Sequence, residues 1–335
     1  GVLRYVCLLG NGTRDHRNYK NQNPASALMD LLPAEHRNFF PKNVASSPRT
    51  SPYGSDDSYV SFDAAPDEFD VDFPDVAIGR LPASTVAEAN QLVERMIQYS
   101  SSVEPGLWSN RILLVADDGY SPHYNNGAEP EYGENAHTAQ TEKISQDYIP
   151  ASIDKSTVMG VYYDFPPGSR IKPQARQDIN TILSEGVTLF NYVGHGAENN
   201  LADEQVFQSQ DISNLTNGMR RGVFIAFSCD VGVYDSPSRR SMAESFILAE
   251  NGGCIASICA SQTSYIFDNE RLSEFFYGSL FPGQHVSPTQ TLSEALLEGK
   301  ANMGTANYRH NSQRYTVLGD PALSLPHPPD DMGFS

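Results

Sequence analysis

The sequence predicts an α/β protein built on a mostly parallel sheet. Short apolar runs of strand length recur along the chain, and they are near-continuous rather than alternating. Patterns of helical period lie between them, which is how strands buried on both faces are connected. No internal repeat or low-complexity segment competes with this reading. The 335 residues are 39% hydrophobic, enough for two ordinary domains or one large one.

The elements follow in order. VLRYVCLLG (2–10) reads as a buried strand ending in a turn, and 11–75 as a polar, proline-rich stretch with the acidic segment PDEFDVDFPD (66–75). VAIGRL (76–81) reads as a second strand. A helix is expected at about 84–100, with Thr85 and Glu88 as a capping box and Val86, Ala89, Val93, Met96 and Ile97 on one apolar face. SSSVEPG (100–106) is the best linker, so an N-terminal α/β unit is expected over 1–104 and a larger one over 105–335. The second series has strand candidates at 111–116, 158–163, 187–193, 223–228 and 254–260. Helical patterns stand at about 134–147, 173–185, 240–251, 268–280 and 291–303.

The formal net charge of −18 argues against nucleic acid as the main partner, because phosphate binding needs clustered Lys and Arg. No apolar run approaches the ~20 residues of a membrane span. The sequence opens without Met or a signal peptide, and it is expected to be a piece of a longer chain. Cys7, Cys229, Cys254 and Cys259 are too few for a disulfide scaffold and contain no CxxC zinc pattern. Cys7, Cys254 and Cys259 lie inside strand patterns and are expected in the core.

Two strand candidates end in reactive side chains. FNYVGHGAENN (190–200) delivers His195 between two glycines, and VFIAFSCDVG (223–232) delivers Cys229. In open parallel sheets active sites gather at the carboxyl ends of strands, and right-handed crossovers place both ends on one rim. A thiol is a few per cent thiolate at neutral pH, and a neighbouring imidazole corrects that. The amides of Gly196 and Cys229 are candidate donors to an oxyanion. The competing reading is an accidental pair, with Cys229 an inert buried thiol.

LFNYVGHGAEN, FSCDVGVYDSP, AESFILAENGGCIASICASQTSY and YTVLGDPALSLP resemble the gingipain family of cysteine peptidases, relatives of the caspases. LLGNGTRDHRNY, GSDDSYVSFD and DVAIGRLPASTVAEANQLVERMIQY resemble that family's first subdomain, so the likeness spans nearly the whole chain. It implies a caspase-like three-layer α/β/α fold in two subdomains, with His195 as general base and Cys229 as nucleophile. WSNRILLVADD and the LGDPAL ending look nearest to the signal peptidase, or sortase, of the type IX secretion system. That branch implies removal of the C-terminal signal domain of secreted cargo at the outer-membrane surface. It also implies partner subunits of the secretion machinery and a lipopolysaccharide acceptor. A secreted gingipain-like protease and an inert scaffold module are the alternatives.

The resemblance further implies a carboxylate after the first strand of the second subdomain, orienting the histidine; Asp118 takes that place, with Asp117 second. Arg-specific gingipains carry an Asp in the following loop. Here the loop has Glu129 and Glu131 but no aligned Asp, so Arg or Lys specificity is not carried over. Thr263, Ser264 and Tyr265 match the family's substrate-pocket wall. No cofactor is required for the chemistry. Gingipains bind calcium, and Asp56, Asp57, Asp63, Asp67, Asp70 and Asp72 are the oxygen donors on offer, against the plainer reading of a solvated acidic loop.

Overall fold

The computed structural model describes residues 2–14, 32–33, 35–37, 53–62, 73–102, 106–120, 135–236, 238–284 and 290–326. Eight strands form one sheet: β1 (Tyr5–Leu9), β2 (Ala77–Leu81), β3 (Arg111–Ala116), β4 (Asp154–Met159), β5 (Leu189–Val193), β6 (Val223–Phe227), β7 (Ala256–Ala260) and β8 (Tyr315–Leu318). Their spatial order is β1-β2-β8-β7-β6-β5-β3-β4. Every pairing is parallel except β7 with β8. The sheet thus holds two blocks of opposite direction, and β8 is the seam between them. The two N-terminal strands join the same sheet as the rest, through Leu318 of β8 opposite Arg80 of β2.

Side chains alternate across the sheet and make two cores. Ile112, Leu114, Leu189, Val193, Ile225 and Phe227 face one side, where α5 (Ile266–Leu280) and α6 (Leu292–Asn302) pack. Leu113, Val115, Phe190, Tyr192, Phe224 and Ala226 face the other, against α3 (Pro173–Glu185) and α4 (Met242–Leu248). Both faces are covered, which is why the strands read as unbroken apolar runs. The result is a three-layer α/β/α arrangement. No helix among the described residues is long and apolar enough to cross a membrane.

Several expectations shift. The run at 158–163 starts as strand four residues earlier, and Gly160–Tyr162 is a 3-10 turn. β8 and the helix α7 (Gly304–His310) were not expected; β8 hides in YTVLGDPAL, which is short and closes with a turn. The capping bond of α1 (Val86–Ser102) forms, the Glu88 amide donating to Thr85 Oγ1 over 3.2 Å. Its buried face is different: Val86 and Ile97 are more than half exposed, while Leu92, Arg95 and Tyr99 are buried. Arg95 tolerates burial because its guanidinium donates to the Ile247 and Ala249 carbonyls at the end of α4. Cys7 is exposed rather than core, since β1 is the outer strand of the sheet; Cys254 and Cys259 are buried as expected.

Candidate active site

Register explains the pairing of the two reactive side chains. Val193 of β5 lies opposite Phe227 of β6. His195 and Cys229 each follow two residues later, so both leave the sheet at the same rim. Ala116 of β3 also lies opposite Val193, which brings Asp117 and Asp118 to that rim, and Ser264 follows the end of β7.

The backbone around His195 is clamped. Its amide donates to Asp117 Oδ2 over 2.9 Å. Its carbonyl accepts from Tyr192 Oη at 2.5 Å and from the Ala202 amide at 2.9 Å. Gly194 makes the crossing possible, since a Cβ there would stand 2.3 Å from Asp117 Cβ. Gly196 lies against the Cys229 loop, and a Cβ there would meet Ser228 Oγ at 2.3 Å and the Cys229 carbonyl at 3.0 Å. The two rim loops are therefore in direct contact, and only glycines permit it.

Cys229 is half-buried, and its sulfur sits on Ser264. The Ser264 amide donates to Sγ over 3.3 Å, and the Ser264 carbonyl stands 3.3 Å away as acceptor for the thiol. Burial pushes the thiol up from its ordinary value; the Ser264 amide and the Arg314 charge pull the other way. Next to the thiol, Asp230 occupies a left-handed conformation (φ 59°), and burial pushes its carboxyl up to about 6. Asn269 fixes the Ser264 segment, donating to Ser264 Oγ over 2.9 Å while its Oδ1 accepts from Tyr315 Oη at 2.7 Å.

One cavity of about 220 Å³ has His195, Cys229, His137, Gln140, Ser264 and Tyr265 among its walls. The His137 and His195 rings meet edge to face with centroids 5.3 Å apart. His137 and Gln140 come from α2 (Asn135–Lys143) and were not singled out from sequence. Two polar residues three apart on one face of a short helix were the available signal.

The other expected residues fall in several places. Ser264 and Tyr265 line the cavity, and Thr263 is exposed, its amide donating to Gln262 Oε1. The Asp118 carboxylate is engaged by the Lys172 ammonium and by the Tyr120 amide. It is Asp117 that binds the His195 backbone. Glu204 completes a buried group with the two aspartates, their oxygens within 4.8 Å of one another. Asp56 and Asp57 do not fit a calcium site: Asp56 takes both guanidinium arms of buried Arg80, and Asp57 takes the Lys300 ammonium and the Tyr308 hydroxyl. A buried cation already holds each carboxylate. Glu129, Glu131, Asp63, Asp67, Asp70 and Asp72 lie outside the described residues.

Comparison with known proteins follows the same lines. The chain is similar in structure to the Arg-specific cysteine proteinase gingipain R (RgpB), with a TM-score of 0.66 and 19% identity over 97% of this chain and 65% of that one. The complex of Porphyromonas gingivalis RgpB pro- and mature domains gives 0.65 and 19%, covering 97% and 66%. A structure described as a protease gives 0.68 and 17%, covering 98% and 65%. The chain spans about two thirds of the length of these structures. No curated protein matches it with significance. The model of Peptidase family C25 matches residues 1–326, nearly the whole length, and the chain belongs to that family of cysteine peptidases.

Proposed function

We propose that the chain is a cysteine endopeptidase or transpeptidase using Cys229 and His195. The observation that carries this reading is the shared cavity: both side chains wall it, each two residues past paired strand ends. Cys229 Sγ attacks the substrate carbonyl while its proton passes to the His195 imidazole. The amides of Gly196 and Cys229 receive the developing oxyanion. His195 then protonates the leaving amine, the C–N bond breaks, and a thioester remains on Cys229. Water or an amine attacks the thioester carbonyl, surrendering a proton to the same imidazole; the C–S bond breaks and that proton returns to Cys229 Sγ. Asp117 acts as a positioning residue, holding the His195 backbone amide, and Ser264 and Tyr265 contact substrate.

The finer reading is that this enzyme removes the C-terminal signal domain of secreted cargo at the outer-membrane surface. The cargo is then joined to an amine of a lipopolysaccharide, in company with secretion-system subunits. It rests on the sequence resemblance. The test is a cargo peptide spanning the junction, incubated with and without millimolar glycine amide and weighed. Free acid as the main product is expected of the isolated chain, with amide adduct as a minor one. Cleavage of unrelated peptides with equal efficiency would favour a general protease and refute the signal-peptidase role.

A further inference from the structure

Behind the Cys229 loop lies a buried cation, Arg314, and the role inferred for it rests on the peptidase reading above. Arg314 is the residue before β8, and its carbonyl accepts the Ser261 amide at 2.9 Å. Ser261 opens the loop that carries Ser264 and Tyr265, and Cys229 Sγ rests on that loop. The Arg314 side chain packs against two rings. Its Cζ stands 4.3 Å from the centroid of Tyr53 and 5.8 Å from that of Tyr265, within the range at which a ring face attracts a cation. Tyr53 is itself fixed. It opens the short strand Tyr53–Ser55, its hydroxyl donates to Gln313 Oε1 over 2.8 Å, and the Gly54 carbonyl accepts from Ser261 Oγ at 2.5 Å. Asp56 and Asp57 follow at once, and their ion pairs with Arg80 and Lys300 anchor the strand.

A guanidinium keeps its proton inside a protein, so this charge is permanent. Burying it is costly, and burial does push Arg314 down from its ordinary value; Tyr53, Tyr265, Tyr315 and Cys229 oppose that. The charge reaches both residues of the nucleophile loop, favouring the ionised form of Cys229 and of Asp230. Burial and the Asp230 carboxylate work against a thiolate, and the Ser264 amide supports one. His195 and His137 share the cavity with Cys229, and Glu198 acts on Asp230. We infer that Arg314 is a positioning residue of the reaction: Tyr53 and Tyr265 hold its charge where it stabilises the Cys229 thiolate formed as His195 takes the proton. A strand from the N-terminal part of the chain thereby helps to set the reactivity of the thiol.

The rate of Cys229 alkylation by iodoacetamide, mapped by mass spectrometry from pH 4 to 10, reads the midpoint at which the thiol ionises. Arg314→Gln should raise that midpoint by about one pH unit, with alkylation roughly tenfold slower below both midpoints. Arg314→Lys keeps the charge and should recover most of the shift. Tyr53→Leu loosens the guanidinium and should give a smaller rise, and it serves as the test where Arg314→Gln does not fold. An unchanged midpoint in folded Arg314→Gln, or an equal rise in the Gln and Lys variants, would show that Arg314 serves packing alone and overturn the inference. So would an unchanged midpoint in Tyr53→Leu. A midpoint that moves in His195→Ala but not in Arg314→Gln strikes this inference and leaves the peptidase reading standing. A midpoint that His195→Ala does not move removes the peptidase reading, and this inference with it.

Discussion

Replacing Glu204 by glutamine isolates one buried proton beside the candidate site. Glu204 is 4% exposed, and its Oε2 has no partner. Burial and the neighbouring charges of Asp117 and Asp118 push its carboxyl from an ordinary 4.5 up to about 8, with Lys172 pulling it back. The folded chain therefore keeps this proton at neutral pH, while the unfolded chain has released it. A group raised in the folded state stabilises fully below its unfolded value, and that stability is lost as pH rises through the folded value. At about 1.36 kcal/mol per pH unit, the span from 4.5 to about 8 sets an upper bound of roughly 5 kcal/mol. Glu204→Gln is neutral in both states and should lose none of it. Urea denaturation of the two proteins at several pH values from 5 to 8 measures the difference. The variant should gain on the parent steadily as pH rises, with its m-value unchanged. A constant offset across that range would show that Glu204 is ionised in the native state and refute the reasoning.

Other outcomes follow from the same geometry. His195→Ala should slow iodoacetamide labelling of Cys229 at least tenfold while leaving exposed Cys7 unchanged and Cys254 and Cys259 protected, as read by peptide mapping. Gly196→Ala drives a methyl group to 2.3 Å from Ser228 Oγ, so the rim loops must part; peptide turnover should fall about 100-fold with the fold retained by circular dichroism. Lys172→Met strands the buried Asp118 carboxylate and should cost about 3–5 kcal/mol in urea denaturation at pH 7.

The strand ends were legible because fully buried parallel strands leave unbroken apolar runs, and the reactive residues interrupt them abruptly at Gly194 and Ser228. Register did the rest, and it follows from strands that begin and end alike. The surroundings were not legible for a different reason. Lys172 and Arg80 are charges, yet each is buried because a carboxylate distant in sequence meets it, and Glu204 is buried by giving up its charge. Asp56 is 24 residues from Arg80, and Lys172 is 54 from Asp118. Period likewise misassigned the face of α1, since Arg95 is satisfied by carbonyls about 150 residues away.

The position of β8 has a consequence for biosynthesis. The strand from Tyr315 to Leu318 lies between β2 and β7, so β1 and β2 cannot join the other strands until residue 318 has left the ribosome. Folding that waits on such distant contacts is slow and leaves strand edges open meanwhile. A nascent chain stopped before Tyr315 would expose β2 and β7 as two unpaired edges, each a template for the wrong neighbour.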